Sequence, residues 1–317
     1  MELHIIKVML KSLRDSSTRQ YETAWRSFTS FLKLHDISEI TLNSIMCFFY
    51  SLFQDKSFAA STISTYRSAI AEPVMLGFGI DLSNELSTKL MRGFQNLKPT
   101  KPIQGITWSL DSVLTLLRSE AYNKTDCISK CTLKTVFLIT LATGQRISEV
   151  HAMVRGDNFI QFGDELHNVT IFPNTAFMAK NELPQQRRGP IIINSLRDKN
   201  GCPHPLCPVI ALKNYLYLTR SCIGGQLFRT HTTMKPCSLT KLKEYVCRVI
   251  KIANPNSVPK SHDVRKMAAS VAFFQNMDVS ELCSKVGWSS SRVFYKHYLK
   301  QISQVSQPCV VLGEDLG

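Results

Sequence analysis

Residues 261–299 gather four side-chain types that could act together on a phosphate ester. His262 and Arg265 stand three residues apart at the start of a helical pattern, so an imidazole and a guanidinium can face one anion. The segment then turns at Gly287-Trp288, adding an indole N–H, and ends in an aromatic stretch carrying Tyr295 and Tyr298. Cationic and neutral N–H donors offset the charge that grows on a phosphoryl group under attack, and a phenol can supply the attacking oxygen. A second arginine, Arg146, lies in TGQRISEV, where Gly144 can cap the apolar helix before it and Glu149 follows one turn later to orient it. Its frame is apolar on both sides, and an arginine held there is costly unless paired. Lys180 ends a short β-like segment just before the turn NELPQQRRG, from which a lysine can swing into a site; a generic exposed lysine would read the same way.

The elements that must position these groups follow from periodicity. Tyr21, Trp25, Phe28 and Leu32 fall on one face of a helix expected over Ser17–Leu34, with Ser17 and Gln20 as a capping box. A second helix is expected over Leu42–Gln54, a third carrying Ile63, Tyr66 and Ile70 and stopping before Pro73, and a fourth marked by Leu86, Leu90, Phe94 and Leu97. These predict an all-α domain over residues 1–98. KPTKPIQGIT cannot continue a helix and reads as a basic linker over 99–106, which would let two lobes close on a duplex from opposite sides. Over 107–317 the helices from Ser109 and from Ile128 to Ala142 are followed by four short alternating segments, Asn158–Gln161, Asn168–Phe172, Ala176–Ala179 and Pro190–Asn194. Helices resume with VIALKNYLYL and LTKLKEYVCRVIK. The fold class predicted is mainly α with a small antiparallel β-sheet.

Charge points to the partner. The 317 residues carry 38 Lys and Arg against 24 Asp and Glu, a net +14, which asks for a polyanion; nucleic acid is the first candidate and an anionic membrane surface the second. No apolar run approaches the ~20 residues of a membrane span, and MELHIIKVMLKSL lacks a signal-peptide core, so the chain is expected to stay inside the cell. The ten cysteines show no repeated spacing and read as reduced thiols. Cys202, His204 and Cys207 in GCPHPLCP lack a second ligand pair at zinc-like spacing and read as a rigid loop; no metal or other cofactor is expected. Candidate phosphate contacts are Arg67, Lys101, Arg187, Arg188, Lys241, Lys243 and Lys260.

TGQRISEV, SHDVRK and VGWSSSRVFYKHYL, in this order and separation, resemble the first arginine box, the H-x-x-R box and the nucleophile box of the tyrosine recombinase (phage integrase) family. GWSS with Phe294 and Tyr298, and CPVIALKNYL, look more like recombinases of eukaryotic mobile elements such as Cryptons and DIRS-like retrotransposons. The resemblance covers nearly the whole chain and implies a core-binding domain of SAM-like type followed by a catalytic domain. It implies that Arg146 and Arg265 grip the scissile phosphate with His262 and Trp288, that Lys180 is the hairpin lysine, and that Glu149 supports the first arginine. In many members the tyrosine lies ten residues after the glycine, which here is His297; the mobile-element pattern, one place later, selects Tyr298, with Tyr295 the fallback.

The implied activity is cleavage and rejoining of double-stranded DNA through a 3′-phosphotyrosine, in a tetramer assembled on DNA and, for a eukaryotic element, in the nucleus. The tail after Leu299, with Val305, Val310, Val311 and Leu312, is either the segment that docks on a neighbour or a disordered end. Two other readings share the sequence: a type IB topoisomerase-like enzyme, and a domesticated DNA-binding protein that kept the fold without catalysis.

Overall fold

The computed structural model describes residues 15–99, 105–123, 127–180, 182, 187, 189–288 and 290–295. The chain divides into two compact units, Met1–Ile103 and Gln104–Gly317.

The first unit is built from α1 (Asp15–Leu34), α2 (Leu42–Gln54), α3 (Ala60–Phe78) and α4 (Glu85–Leu97). Its core joins Phe28 and Leu32 to Ile45, Phe48, Phe49 and Leu52, with Ile63, Ile70 and Val74 closing from α3. Thr41 and Ser44 form a reciprocal capping box that starts α2. Ser17 lies inside α1 and not at its cap. The third helix runs through Pro73 to Phe78 instead of stopping before it. Proline removes one backbone donor, but continuing the helix buries Val74 completely, and Gly79 then ends it in the left-handed conformation at φ 68°. In α4 the buried positions are Ser87, Met91 and Phe94, while Leu86 and Leu97 are exposed. Phe94 stacks on Phe53 with ring centroids 4.5 Å apart, which sets the face that α4 turns inward.

The second unit contains α5 (Leu110–Arg118), α6 (Glu120–Asn123), α7 (Ile128–Thr143), α8 (Ile147–His151), β1 (Ile160–Phe162), β2 (Asn168–Ile171), β3 (Ile191–Asn194), α9 (Pro208–Leu218), α10 (Leu239–Ala253), α11 (Ser261–Phe274), α12 (Val279–Val286) and α13 (Ser291–Val293). Helix α7 is buried on every side from Cys131 to Thr140 and is the axis on which α9, α10 and α11 pack. The stripe Leu242, Tyr245, Val246 and Ile250 is the buried face of α10, joined by Val249.

The strands form one antiparallel sheet in the order β1-β2-β3, with Ile160 opposite Ile171 and Val169 opposite Ile193. Ala176–Ala179 is not a strand. Its backbone donors are taken locally: Ala176 N–H by Asn174 Oδ1 (2.9 Å), Phe177 N–H by Asn174 O (3.0 Å) and Ala179 N–H by the Glu182 carboxylate (2.9 Å). Side-chain acceptors that satisfy the backbone in a turn remove the need for a ladder. The GCPHPLCP loop is held by local hydrogen bonds: within it Leu206 N–H donates to His204 Nδ1, and from just after β3 Leu196 N–H donates to Cys207 Sγ. Among the described residues, no helix is long and apolar enough to cross a membrane.

Candidate active site

Two helix ends and two helix starts build the site. Helix α7 stops at Gly144, whose φ of 59° is the left-handed cap conformation. Arg146 is the N-cap of α8, and its backbone N–H donates to Glu149 Oε2 at 2.8 Å while Nη1 donates to Glu149 Oε1 at 2.8 Å. One carboxylate therefore caps the helix and fixes the arginine that starts it.

Arg265 arrives on the second turn of α11. It donates from Nη1 to Gly144 O (2.9 Å) and from Nη2 to Val286 O (3.0 Å), and it lies 3.6 Å from Glu149 Oε2. Val286 is the last residue of α12, which Gly287 closes in the left-handed conformation at φ 71°. The carbonyls at two helix C-termini, which have no partner within their helices, thus share one buried guanidinium. The Trp288 ring lies against the guanidinium at 5.2 Å and is itself packed on Phe294 at 5.6 Å.

Exposure separates the two arginines. The Arg146 side chain is 18% exposed and that of Arg265 is 1%, so an anion from solvent meets Arg146 first. His262 precedes Arg265 by one turn and is reached by solvent. Partial burial lowers its pKa, and the positive charges of Lys266, Arg265 and Arg146 add to this against the opposing Asp263 carboxylate. A neutral imidazole beside cations can accept a proton or donate a hydrogen bond.

The structure brings Arg146, Glu149, Arg265 and Trp288 together, with His262 close enough to feel both arginines. Lys180 is exposed on the turn after Ala179, not at a strand end, and no hydrogen bond or ion pair among the described residues links it to the cluster. Tyr298 lies outside the described residues, as do Lys101 and Arg188 and the tail after Leu299. Tyr295 is half-exposed beside Phe273 and Phe294.

Of the other basic candidates, Arg67 holds Leu82 O with Nε (3.0 Å) and Nη2 (2.6 Å), tying α3 to the turn before α4. Arg187 holds the carbonyls of Thr175 and Phe177, and Lys241 is paired with Glu244 at 3.0 Å. Lys243 and Lys260 are exposed. Sequence reasoning missed the backbone part of the site, the carbonyls of Gly144 and Val286. Its only trace in the chain is the pair of helix-ending glycines, Gly144 and Gly287.

No protein-family model and no curated protein matches this chain. Solved structures do match in fold. A lambda integrase dimer bound to a COC' core site superposes with a TM-score of 0.54 at 15% identity, covering 96% of this chain and 100% of that one. The XerH site-specific recombinase bound to difH substrate gives 0.56 at 13% identity, covering 88% and 76%. The Tn1549 transposon integrase in complex with transposon right end DNA gives 0.56 at 14% identity, covering 87% and 85%. A mainly helical architecture with a small three-stranded antiparallel sheet is the integrase fold, and this chain has it.

Proposed function

We propose that this chain is a tyrosine recombinase that cuts and rejoins DNA strands through a 3′-phosphotyrosine. The observation that carries the reading is the single carboxylate of Glu149 engaging both Arg146 and Arg265, two arginines from distant parts of the chain. Paired guanidinium donors are suited to phosphate oxygens in a way that ammonium groups are not. In this reading Arg146 binds a non-bridging oxygen of the scissile phosphate, and Arg265, held from behind by two carbonyls, backs it and reaches the phosphate by releasing one of them.

The Tyr298 phenol then attacks phosphorus. Its oxygen forms the new P–O bond, its proton passes to neutral His262, and the bond to the 5′-oxygen breaks as Lys180 protonates that oxygen. The covalent bond conserves the energy of the phosphodiester, so the reverse step rejoins a strand without a nucleotide. Double-stranded DNA as partner, assembly into a tetramer on it, a mobile-element origin of Crypton or DIRS-like type and a nuclear location belong to the same proposal, supported by the sequence boxes and the +14 charge.

Nicked element-end duplex incubated with the protein should give a covalent protein–DNA adduct resistant to denaturant. Tyr298→Phe should abolish it and Tyr295→Phe should not. Absence of an adduct with the wild type, or equal yields with Tyr298→Phe, refutes the assignment. Recombinant products, as opposed to relaxed circles alone, separate a recombinase from a topoisomerase-like enzyme. A DNA-binding protein without catalysis is the second reading, and the 1% exposure of Arg265 with its two carbonyl partners favours it. The wild-type adduct decides between them.

A further inference from the structure

We infer that Arg155 and Arg229, under the Gly224-Gly225 turn, form a second oxyanion site that takes a phosphate group and shares no residue with the cluster around Arg146. The backbone brings the two together. Arg155 N–H donates to Gly225 O (3.0 Å) and Leu227 N–H to Met153 O (2.8 Å), a two-strand contact centred on the Val154 and Gln226 bridge. Both arginines are buried, Arg155 at 6% and Arg229 at 8% exposure. Arg155 Nη2 donates to Thr219 Oγ1 at 2.8 Å, at the C-terminal end of α9, and Arg229 Nη2 donates to Gly224 O.

The balance of charge is what needs an explanation. Arg155 Nη1 and Arg229 Nε are buried without an acceptor, and among the described residues no carboxylate pairs with either arginine. Burial lowers the pKa of Arg155, and the charge of Arg229 lowers it further against the opposing Tyr215 and Cys222. An arginine cannot shed its proton in a protein, so two positive charges stand close together, opposed by neutral oxygens, the Cys222 sulfur and a helix end worth about half a negative charge, with no carboxylate among the described residues. Uncompensated buried charge is destabilising, and a planar fork of N–H donors is the usual partner of phosphate.

The turn above them fits an anion site closed by backbone. Gly224 and Gly225 have φ of 61° and 71°, and a Cβ on Gly225 would stand 3.3 Å from Arg229 Nη2. Glycine thus lets the turn seat a carbonyl oxygen on the guanidinium, the position that a phosphate oxygen would take. Ile223, in the same turn, is 95% exposed, so little apolar packing opposes its lifting. The donors suit one phosphate-sized group, supplied either as free phosphate or by a polynucleotide backbone.

The test compares wild type with Arg155→Met and Arg229→Met as full chains. In inorganic phosphate, against chloride at equal ionic strength, the wild-type melting midpoint should rise by more than phosphate's general salting-out effect, and both variants should keep only that general rise. In chloride the variants should melt no lower than the wild type, because the change removes an unpaired buried charge. Should Arg155→Met fail to fold, Arg155→Lys carries the comparison, since it keeps the charge and loses the fork. A second arm measures duplex affinity against salt: a slope of log K lower by about one in Arg155→Met assigns the phosphate to DNA. An unchanged slope with a lost phosphate response assigns it to the free ion. Variants that match the wild type in both phosphate response and salt slope overturn the proposal.

Discussion

Replacing Arg265 should damage the fold as much as the chemistry, and replacing Arg146 should not. Arg265→Ala strips charged donors from the carbonyls of Gly144 and Val286, removes a cation from Glu149 and takes the guanidinium away from the Trp288 ring. A hydrogen bond to a charged group is worth about 1.5–3 kcal/mol, and the cation–π contact adds ~1–2 kcal/mol when desolvated. These contacts share one side chain and do not add fully. The expected loss is on the order of 4–5 kcal/mol, near the top of the range for breaking a buried charged pair. Arg146 is partly exposed and its described side-chain partner is Glu149, whose bond to the Arg146 backbone N–H survives the substitution. Its loss should cost about 1–2 kcal/mol.

Urea unfolding followed by tryptophan fluorescence measures both. In a Trp25→Phe background only Trp108 and Trp288 report, and both lie in the second unit. For a unit of this size 1 kcal/mol moves a melting midpoint by about 2–4 °C, so the two variants should separate clearly in a thermal scan as well. Adduct formation should fall by on the order of 10²–10³ in both, the usual effect of removing one transition-state donor. If Arg265→Ala unfolds at the same urea concentration as Arg146→Ala, the guanidinium is not the pin described here.

Gly144→Ala places a side chain at a left-handed φ of 59° with its Cβ 3.4 Å from Val286 Cγ2, and should cost about 1–2 kcal/mol in the same assay. Lys134 is 6% exposed, donates to Asn123 Oδ1, and is lowered by burial to a pKa of about 8. Its charged form is therefore a burden that builds as pH falls from 10.5 to 8 and is fully present below 8, and Lys134→Met should raise stability at pH 7 by on the order of 1–3 kcal/mol. That gain should disappear above pH 10.5, where the unfolded lysine is neutral too. His262 has its pKa lowered below 6.5, so the unfolded chain binds the proton first as the solution is acidified. Stability should fall as pH drops below 6.5 through the folded value, and the slope over that window should be shallower in His262→Gln, as read by unfolding midpoints across a pH series.

Local physics in the chain was enough to place most of the helices and to single out Arg146, Glu149, Arg265 and Trp288, which the structure brings into one cluster. The 3.6-residue spacing of Trp25, Phe28 and Leu32, the apolar run of α7 and the stripe of α10 each pack into the core as their pattern announces, while Tyr21, on the same stripe, stays outside the cluster. Glycine after α7 marked the cap that sets Arg146 at the start of α8, because a left-handed backbone is a local property. The small sheet was legible as alternation. The third of the four expected segments was a misreading, since nothing in the alternation around Ala176–Ala179 reveals that Asn174 and Glu182 satisfy that backbone. Pro73 misled for the opposite reason: a breaker acts locally, while burial of Val74 is decided by the rest of the domain.

The roles of the two arginines belong to the same second class. Their boxes read alike in sequence, yet one guanidinium keeps a solvent edge and the other is enclosed by two helix ends and an indole ring. Burial and backbone partners depend on residues far away in the chain, and periodicity carries no information about them. Packing decided that Arg265 organises the site, and that Arg155 and Arg229, unremarkable as letters, meet under one glycine turn.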